Sequence, residues 1–428
     1  MGKATKIAIL GLGTVGGGVY KVLEMQKEEM ERKLGSSVEV AHILVRNLEK
    51  AAAKVADPSI LTNDIDVIIN DPEVRIVVEV MGGIEPAKTY ILKALKAGKN
   101  VVTANKDLLA SEGQILMDTA GENHCDLFYE AAVAGGIPII GPLKLALAGN
   151  HVAEVMGIVN GTTNFILTRM TRDGMEFSDA LKLAQELGFA ESDPTADVEG
   201  LDAGRKMAIL ACAAFNSRVT FDNVHTEGIS GITARDIRYA KEMGHVIKLL
   251  GVARNTERGI EVMVHPMLID ESHPLAAVND SYNAVFVRGD AVQDTMFYGR
   301  GAGELPTASA VVGDIFEIVR NIDFNCCGRI GCTCYKQLPV VPYEETCSKY
   351  FIRIKVEDRN GVLASIAAVF GNNNVSIEQM VQRRKQEDFA ELVLITESVK
   401  EKNLKDALTI LRGMSIVKKV SNVIRVAQ

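Results

Sequence analysis

The chain has 428 residues, 47% of them apolar and 24% charged, the balance of an ordinary globular protein but too long for a single core. Its formal net charge of −8 excludes nucleic acid or an anionic membrane as the main partner. No apolar run approaches the ~18 residues of a membrane span, and the first strand begins too early for a signal peptide, so a cytoplasmic protein is expected.

Taken in order, KIAILGLGTVGGGVYKVLEM predicts a strand, a glycine turn and a helix, and VEVAHILVR a second strand. The helix LEKAAAKVA, the strand VRIVVEVMG, the helix and strand of AKTYILKALKAGKNVVTANK and the segment DLLASEGQILMDTAGENHCDLFYEAAVAGGIPI continue the βαβ alternation. A doubly wound, mostly parallel sheet is expected. HVAEVMGIVNG, GIEVMVHPMLI and AVFVRGDAVQDTMFYG are expected as longer strands of a second, open-sheet domain, interspersed with helices such as FSDALKLAQELGF. GAGELPTASAVVGDIFEIVRNI predicts a glycine-rich loop and a helix with Pro306 in its first turn, packing back on the first domain. From residue 348 the order β-α-β-β-α-β, with its second strand at VSIEQMVQRRK, predicts a compact ferredoxin-like module. The expected division is a Rossmann-type domain over 1–135 completed by helix 305–322, an α+β substrate and dimerisation domain over 136–304, a cysteine-containing linker over 323–347, and a module over 348–428.

GLGTVG, between a strand and a helix, has the spacing that cradles a dinucleotide pyrophosphate. Gly11 permits the tight turn, Gly13 the close approach and Gly16 the helix packing, while Thr14 and Val15 open the helix whose free N–H groups face the phosphates. Arg46 stands where an NAD site offers an acid to the ribose, so it favours NADP, with NAD the alternative.

In DVEGLDAGRK, Asp202 and Lys206 are four apart and share a helix face at the mouth of the uncharged run MAILACAAF. An exposed pair would need no function, but a pair opening into a cleft could polarise a carbonyl as hydride arrives, with Asp202 keeping the lysine charged. Lys106 follows a strand of the first domain and points toward the cofactor crevice, and Glu191 could pair with a substrate ammonium.

GLGTVG, TANK, GIVNGTTNFIL, AESDPTADVEGLDAGRK and GRGAGELPTASA occur together in one order over the first ~325 residues, and the chain thereby resembles homoserine dehydrogenase. The resemblance implies NAD(P)-linked interconversion of L-homoserine and L-aspartate 4-semialdehyde, in threonine, methionine and isoleucine biosynthesis. It implies Lys206 as proton donor and acceptor, Lys106 beside cofactor and substrate, and Glu191, Asp202 and Gly188 at the substrate. It also places Gly303 near the cofactor, and a monovalent cation, Na+, on Glu130, Val133, Gly135 and Ile137, largely through backbone carbonyls. The C-terminal module is similar to an ACT domain, implying an amino-acid effector, threonine, at Asp358, Asn360, Gly361, Val362, Asn374 and Ile377. A homodimer or homotetramer is expected.

Two rival readings remain at this point. One is an NADP- and amino-acid-binding regulatory protein without turnover. The other is a semialdehyde dehydrogenase with a cysteine nucleophile, for which Cys125 beside His124 is the candidate, although neighbours on a strand face opposite ways. Cys326, Cys327, Cys332 and Cys334 lack paired zinc-site spacing and are expected as reduced thiols, with metal or redox regulation left open.

Overall fold

The computed structural model describes residues 4–384 and 389–427; Lys385, at the end of the strand expected from VSIEQMVQRRK, lies outside the described residues. The chain forms two compact units. One holds Met1–Val155, Arg205–Val224 and Asn283–Leu338, the other Met156–Gly204, His225–Tyr282 and Pro339–Gln428. In chain order the strands are β1 Thr5–Leu10, β2 Val38–Leu44, β3 Leu61–Thr62, β4 Val74–Glu79, β5 Asn100–Thr103, β6 Leu127–Phe128, β7 Val152–Ile158, β8 His225–Thr226, β9 His245–Thr256, β10 Gly259–Asp270, β11 Tyr282–Gly289, β12 Gln293–Arg300, β13 Cys347–Glu357, β14 Ile377–Arg384, β15 Phe389–Thr396, β16 Val399–Lys400 and β17 Val417–Val426. The helices used below are α1 Thr14–Met25, α2 Ala87–Lys96, α3 Lys106–Glu122, α4 Gly161–Asp173, α5 Leu201–Phe215, α6 Glu304–Asp323, α7 Val362–Asn372 and α8 Glu401–Gly413.

In the first unit β3-β2-β1-β4-β5-β6 form an all-parallel sheet, the doubly wound order of a Rossmann domain. Its strands are apolar on both faces because each face is covered. Ile7, Ile9, Ile76, Val78 and Val102 point to one side, where Val19 and Leu23 of α1 and Ala308, Val311, Ile315 and Val319 of α6 close the core. Ala8, Leu10, Val77 and Val101 point to the other, against Ile91 and Leu95 of α2 and Leu108 and Leu116 of α3. The period-two alternation thus splits one run of strand residues between two cores.

The second unit carries the order β9-β10-β17-β13-β15-β14, with β8 beside β10 and β16 beside β13. The strands β17-β13-β15-β14 with α7 and α8 make the ferredoxin-like module, built on Tyr350, Ile352, Ile354, Phe370, Leu392, Leu394, Leu404 and Leu411. Its last strand also pairs with β10 in parallel, Met267 opposite Arg425.

Two expectations change. The run AVFVRGDAVQDTMFYG is two neighbouring strands, β11 and β12, turned at Asp290–Val292 and re-entered through Gln293 at φ +59°. The twelve-residue strand β9, paired antiparallel with β10 over its whole length, was not anticipated. HVIKLLGVARNT lacks alternation because most of its residues are buried, so periodicity alone did not mark it as a strand. Among the described residues, no helix is long and apolar enough to cross a membrane.

Candidate active site

The glycine turn between β1 and α1 is built as its spacing requires. Gly11 has φ +103°, which only glycine adopts without strain, and its N–H donates to the Leu44 carbonyl at 3.0 Å, tying the turn to β2. A Cβ on Gly16 would stand 2.0 Å from the Gly11 carbonyl oxygen, so this glycine lets α1 start against the turn. Gly13 is the exposed N-cap and has open space around it. Gly13, Thr14, Gly17, Tyr20 and Lys54 line a cavity of about 620 Å³ there. Val15 instead packs against the core. Arg46 is exposed just past the carboxyl end of β2. A second cation, Lys54, was not singled out from the sequence; its Nζ donates to the Leu12 carbonyl at 3.3 Å. Replacing Gly16 by alanine is expected to weaken dinucleotide binding at least ~10-fold and to cost roughly 1–3 kcal/mol of stability through overpacking. Fluorescence titration with NADPH and urea denaturation would check both, and unchanged affinity would count against a pyrophosphate at this turn.

Lys106 is the first residue of α3, at the carboxyl end of β5 and so at the same edge of the sheet. Its position is fixed by neighbours. The Asn105 side chain caps the helix by accepting from Leu108 N–H at 3.1 Å and donates to the Gly83 carbonyl at 2.6 Å. Thr103 donates to the fully buried Glu79 carboxylate at 2.7 Å, which also accepts from Met81 and Gly82 N–H groups. Arg205 Nε lies 2.9 Å from Asp107 Oδ1, so the residues next to Lys106 and Lys206 are joined.

Lys206 is half-buried in α5, whose following residues Met207, Ala208, Leu210 and Ala211 are fully buried. Asp202, one turn earlier on the same helix, is 8% exposed. Its carboxylate accepts from Asn160 Nδ2 at 2.9 Å, and the same amide donates to Asp197 at 2.7 Å while its oxygen caps α4 through Thr163 N–H. Asn160 therefore orients Asp202, a role the quoted GIVNGTTNFIL segment did not disclose. Asp197 shares that amide.

Glu191 is exposed in the loop between the helices Phe177–Glu186 and Thr195–Val198, held by Gln185 Nε2 donating to its carbonyl at 3.0 Å. Gly188, at φ +76°, follows the helix Phe177–Glu186, and the Phe189 N–H returns to the Ala184 carbonyl at 2.8 Å. That helix ending accounts for a glycine by itself. Gly303, at φ +124°, is the N-cap of α6.

The segment Glu130–Ile137 makes a compact turn through Ala134 at φ +55° and Gly135 at φ +49°. A Cβ on Gly135 would stand 2.5 Å from the Gly301 carbonyl, so this loop and GRGAGELP pack backbone to backbone. The Glu130 carboxylate accepts from the N–H groups of Ile139, Ile140 at 2.7 Å and Gly141 at 2.6 Å, at the start of the helix Ile140–Lys144. Its side chain is thus committed to that helix, and what the segment offers a cation is its carbonyl oxygens.

In the C-terminal module the six effector candidates fall into two groups. Asp358, Asn360, Gly361 and Val362 lie at the start of α7, where Gly361 has φ +84°. Asn374, at φ +58°, and Ile377 lie beyond its far end, and an 11-residue helix spans about 16 Å. One chain does not bring the two groups together.

All seven cysteines are free. Cys125 is buried, its Sγ 3.7 Å from the Leu95 carbonyl, and burial pushes its thiol up to about 11. His124 sits in a left-handed turn before β6, not on a strand. A thiol so far from ionisation is a poor nucleophile. The linker thiols separate. Cys327 lies near Asp126 and Cys125 and is pushed up to about 11 by burial first and the Asp126 charge second. Cys332 accepts from Cys334 N–H at 3.4 Å, and Cys334 Sγ lies 3.9 Å from the Cys212 carbonyl.

A doubly wound sheet whose glycine turn opens on a cavity, with a lysine at the same carboxyl edge, marks a nicotinamide-dinucleotide oxidoreductase. Residues 11–130 match the family model "Homoserine dehydrogenase, NAD binding domain", residues 138–316 the model "Homoserine dehydrogenase", and residues 350–414 the ACT domain. The homoserine dehydrogenase of Corynebacterium glutamicum is 46% identical over 99% of this chain and 96% of its own. The solved homoserine dehydrogenase of Thiobacillus denitrificans superimposes with a TM-score of 0.95 at 42% identity, covering 100% of this chain and 99% of that one. A hyperthermophilic archaeal homoserine dehydrogenase mutant, solved in complex with NADPH, has a TM-score of 0.64 at 26% identity over 74% of this chain and 98% of its own. The chain belongs to the homoserine dehydrogenase family. It is an oxidoreductase interconverting L-homoserine and L-aspartate 4-semialdehyde with a nicotinamide dinucleotide, and it carries an ACT domain.

Proposed function

We propose that Lys206 is the proton donor and acceptor of this reaction, with Lys106 beside cofactor and substrate. NAD(P)H, when bound, supplies the hydride to the aldehyde carbon. The Lys206 ammonium gives its proton to the carbonyl oxygen as the alkoxide develops, and in reverse its amine takes the hydroxyl proton. Asp202 and Glu191 bind the amino-acid end of the substrate, Asp202 being held for this by Asn160. The observation that carries the assignment is one helix, α5, presenting Asp202 and Lys206 a turn apart at the edge of a buried run.

The cofactor is NADP rather than NAD, supported by the exposed Arg46 at the end of β2 and by Lys54 at the glycine turn. A sodium ion takes the carbonyls of Glu130, Val133, Gly135 and Ile137; hard oxygens in one tight loop fit such an ion. The working domains are those read from the sequence, in a cytoplasmic homodimer or homotetramer.

Threonine binds the ACT domain at Asp358, Asn360, Gly361 and Val362 of one copy with Asn374 and Ile377 of another, since these lie at opposite ends of α7. The assay is NADPH oxidation with aspartate semialdehyde in the absence of phosphate, with and without threonine. Threonine should lower the rate of the full chain and leave an Asn374→Ala variant at least ~10-fold less sensitive. Equal sensitivity of the two would overturn the site.

A further inference from the structure

The second unit contains a polar cluster that the dehydrogenase reaction does not use. His225 and Glu227 are two apart on and just after β8, so they face the same way. β8 runs parallel to β10 with His225 opposite Met263, which puts His265 on that face beside Glu227. One potential ligand atom from each of the three residues lies within 4.8 Å of the others. His225 Nε2 is 3.1 Å from Glu227 Oε1, close to the ~3.3 Å separating two ligands of a tetrahedral zinc ion at ~2.05 Å each.

His265 is the observation that asks for a ligand. It is 0% exposed, and neither ring nitrogen has a hydrogen-bond partner. An imidazole left so costs on the order of 1–3 kcal/mol, and buried polar groups are ordinarily satisfied. Burial first, and the Arg425 charge second, hold it well below its ordinary pKa, so it offers neutral nitrogens at pH 7. Glu227 is ionised: burial raises its carboxyl, but the His225 hydrogen bond and the Arg425 charge bring it down to about 2.

Arg425, 4% exposed, donates to both Glu227 oxygens at 2.7 and 3.0 Å and to Glu401 at 2.9 Å, so two carboxylates share one guanidinium. Arg425 and the Tyr343 hydroxyl, 3.1 Å from Glu227 Oε1, would then orient the carboxylate from outside. His225 stacks on the Tyr343 ring at 3.5 Å, and the side chains of His225 and Glu227 are 34% and 39% exposed, which leaves an entry path.

We propose that His225, Glu227 and His265 form a binding site for one divalent transition-metal ion of the zinc class, through two imidazole nitrogens and a carboxylate oxygen, with the remaining position open to water. The ion joins β8 to β10 where β10 meets β17 of the ACT domain. The site is independent of the assignment of Lys206.

Full-length protein stripped with a chelator would be titrated with cobalt(II), followed by its visible absorption, and then competed with zinc. One equivalent should bind with the bands of a nitrogen- and oxygen-ligated ion. His225→Ala and His265→Ala should each weaken binding at least ~100-fold. His225 is partly exposed, so its variant folds and keeps the test decisive even where the His265 variant does not. Absence of binding in the micromolar range, an intense thiolate charge-transfer band placing the ion on cysteines, or affinity unchanged in His225→Ala would each overturn the site.

Discussion

Replacing Lys206 by alanine is expected to lower kcat for NADPH oxidation by aspartate semialdehyde by ~10²–10⁴-fold while KM changes far less. The asymmetry follows from when the interaction is made. A carbonyl oxygen accepts only a weak hydrogen bond before hydride arrives, and the ammonium matters most as charge develops on it. The fold should survive, since the apolar residues that hold α5, Met207, Ala208, Leu210 and Phe215, are untouched, and Arg205 still pairs with Asp107. Lys206→Arg should rescue little, because a guanidinium keeps the charge but does not release its proton near neutral pH. Asp202→Asn should act differently, raising KM as well, since its carboxylate is assigned to the substrate. Initial rates in both directions, with circular dichroism to establish folding, would decide. A Lys206→Ala enzyme within a few-fold of normal turnover would remove the lysine from the chemistry.

The parts of this molecule that were legible in its sequence are those whose cause is local. The glycine turn was readable because each glycine has a backbone reason within six residues: Gly11 its positive φ, Gly16 its contact with the Gly11 carbonyl. The spacing of Asp202 and Lys206 fixed their shared helix face, and the C-terminal ferredoxin-like module declared itself by element order. What stayed hidden depends on distant partners. β9 is buried over the unbroken run Ile247–Ala253, so it shows no alternation there, and only its pairing with β10 makes it a strand. Asn160 looks like an ordinary helix cap until Asp202, 42 residues on, is seen to accept from it. His225 and His265 are 40 apart and meet only because β8 lies beside β10. The carbonyls of Val133, Gly135 and Ile137 carry no side-chain signal at all.

Arg353→Met is expected to destabilise the protein by ~3–5 kcal/mol, more than any surface ion-pair change in the chain. Arg353, on β13 of the ACT domain, is 5% exposed; its Nε donates to Asp236 at 2.8 Å, its Nη1 to Glu391 at 3.0 Å and its Nη2 to Thr233 at 3.2 Å. Asp236 is fully buried in the helix Ala234–Glu242, and Glu391 is 5% exposed on β15. Methionine fills similar volume but leaves the buried Asp236 without its cation, and Glu391 with only the half-exposed Arg235, whose Nη1 is 3.5 Å from its Oε1. Tyr239 donating to Glu391 at 2.6 Å and Asn422 donating to Asp236 at 2.9 Å do not replace the lost charge. The loss should depend on pH. Burial raises the Glu391 carboxyl, but the Tyr239 and Arg353 hydrogen bonds outweigh it and hold the group below its ordinary value of 4.5. A depressed carboxyl stabilises above its unfolded pKa and loses that contribution as pH falls through the folded one. The gap between wild type and variant in urea denaturation should therefore be full near pH 7 and shrink below pH ~4.5. Adding Glu391→Gln to the variant should recover part of the loss, since a buried charge that has lost its Arg353 partner is gone. An unchanged midpoint at pH 7, or a gap that widens in acid, would show that this triad does not clamp the ACT domain to the helix Ala234–Glu242.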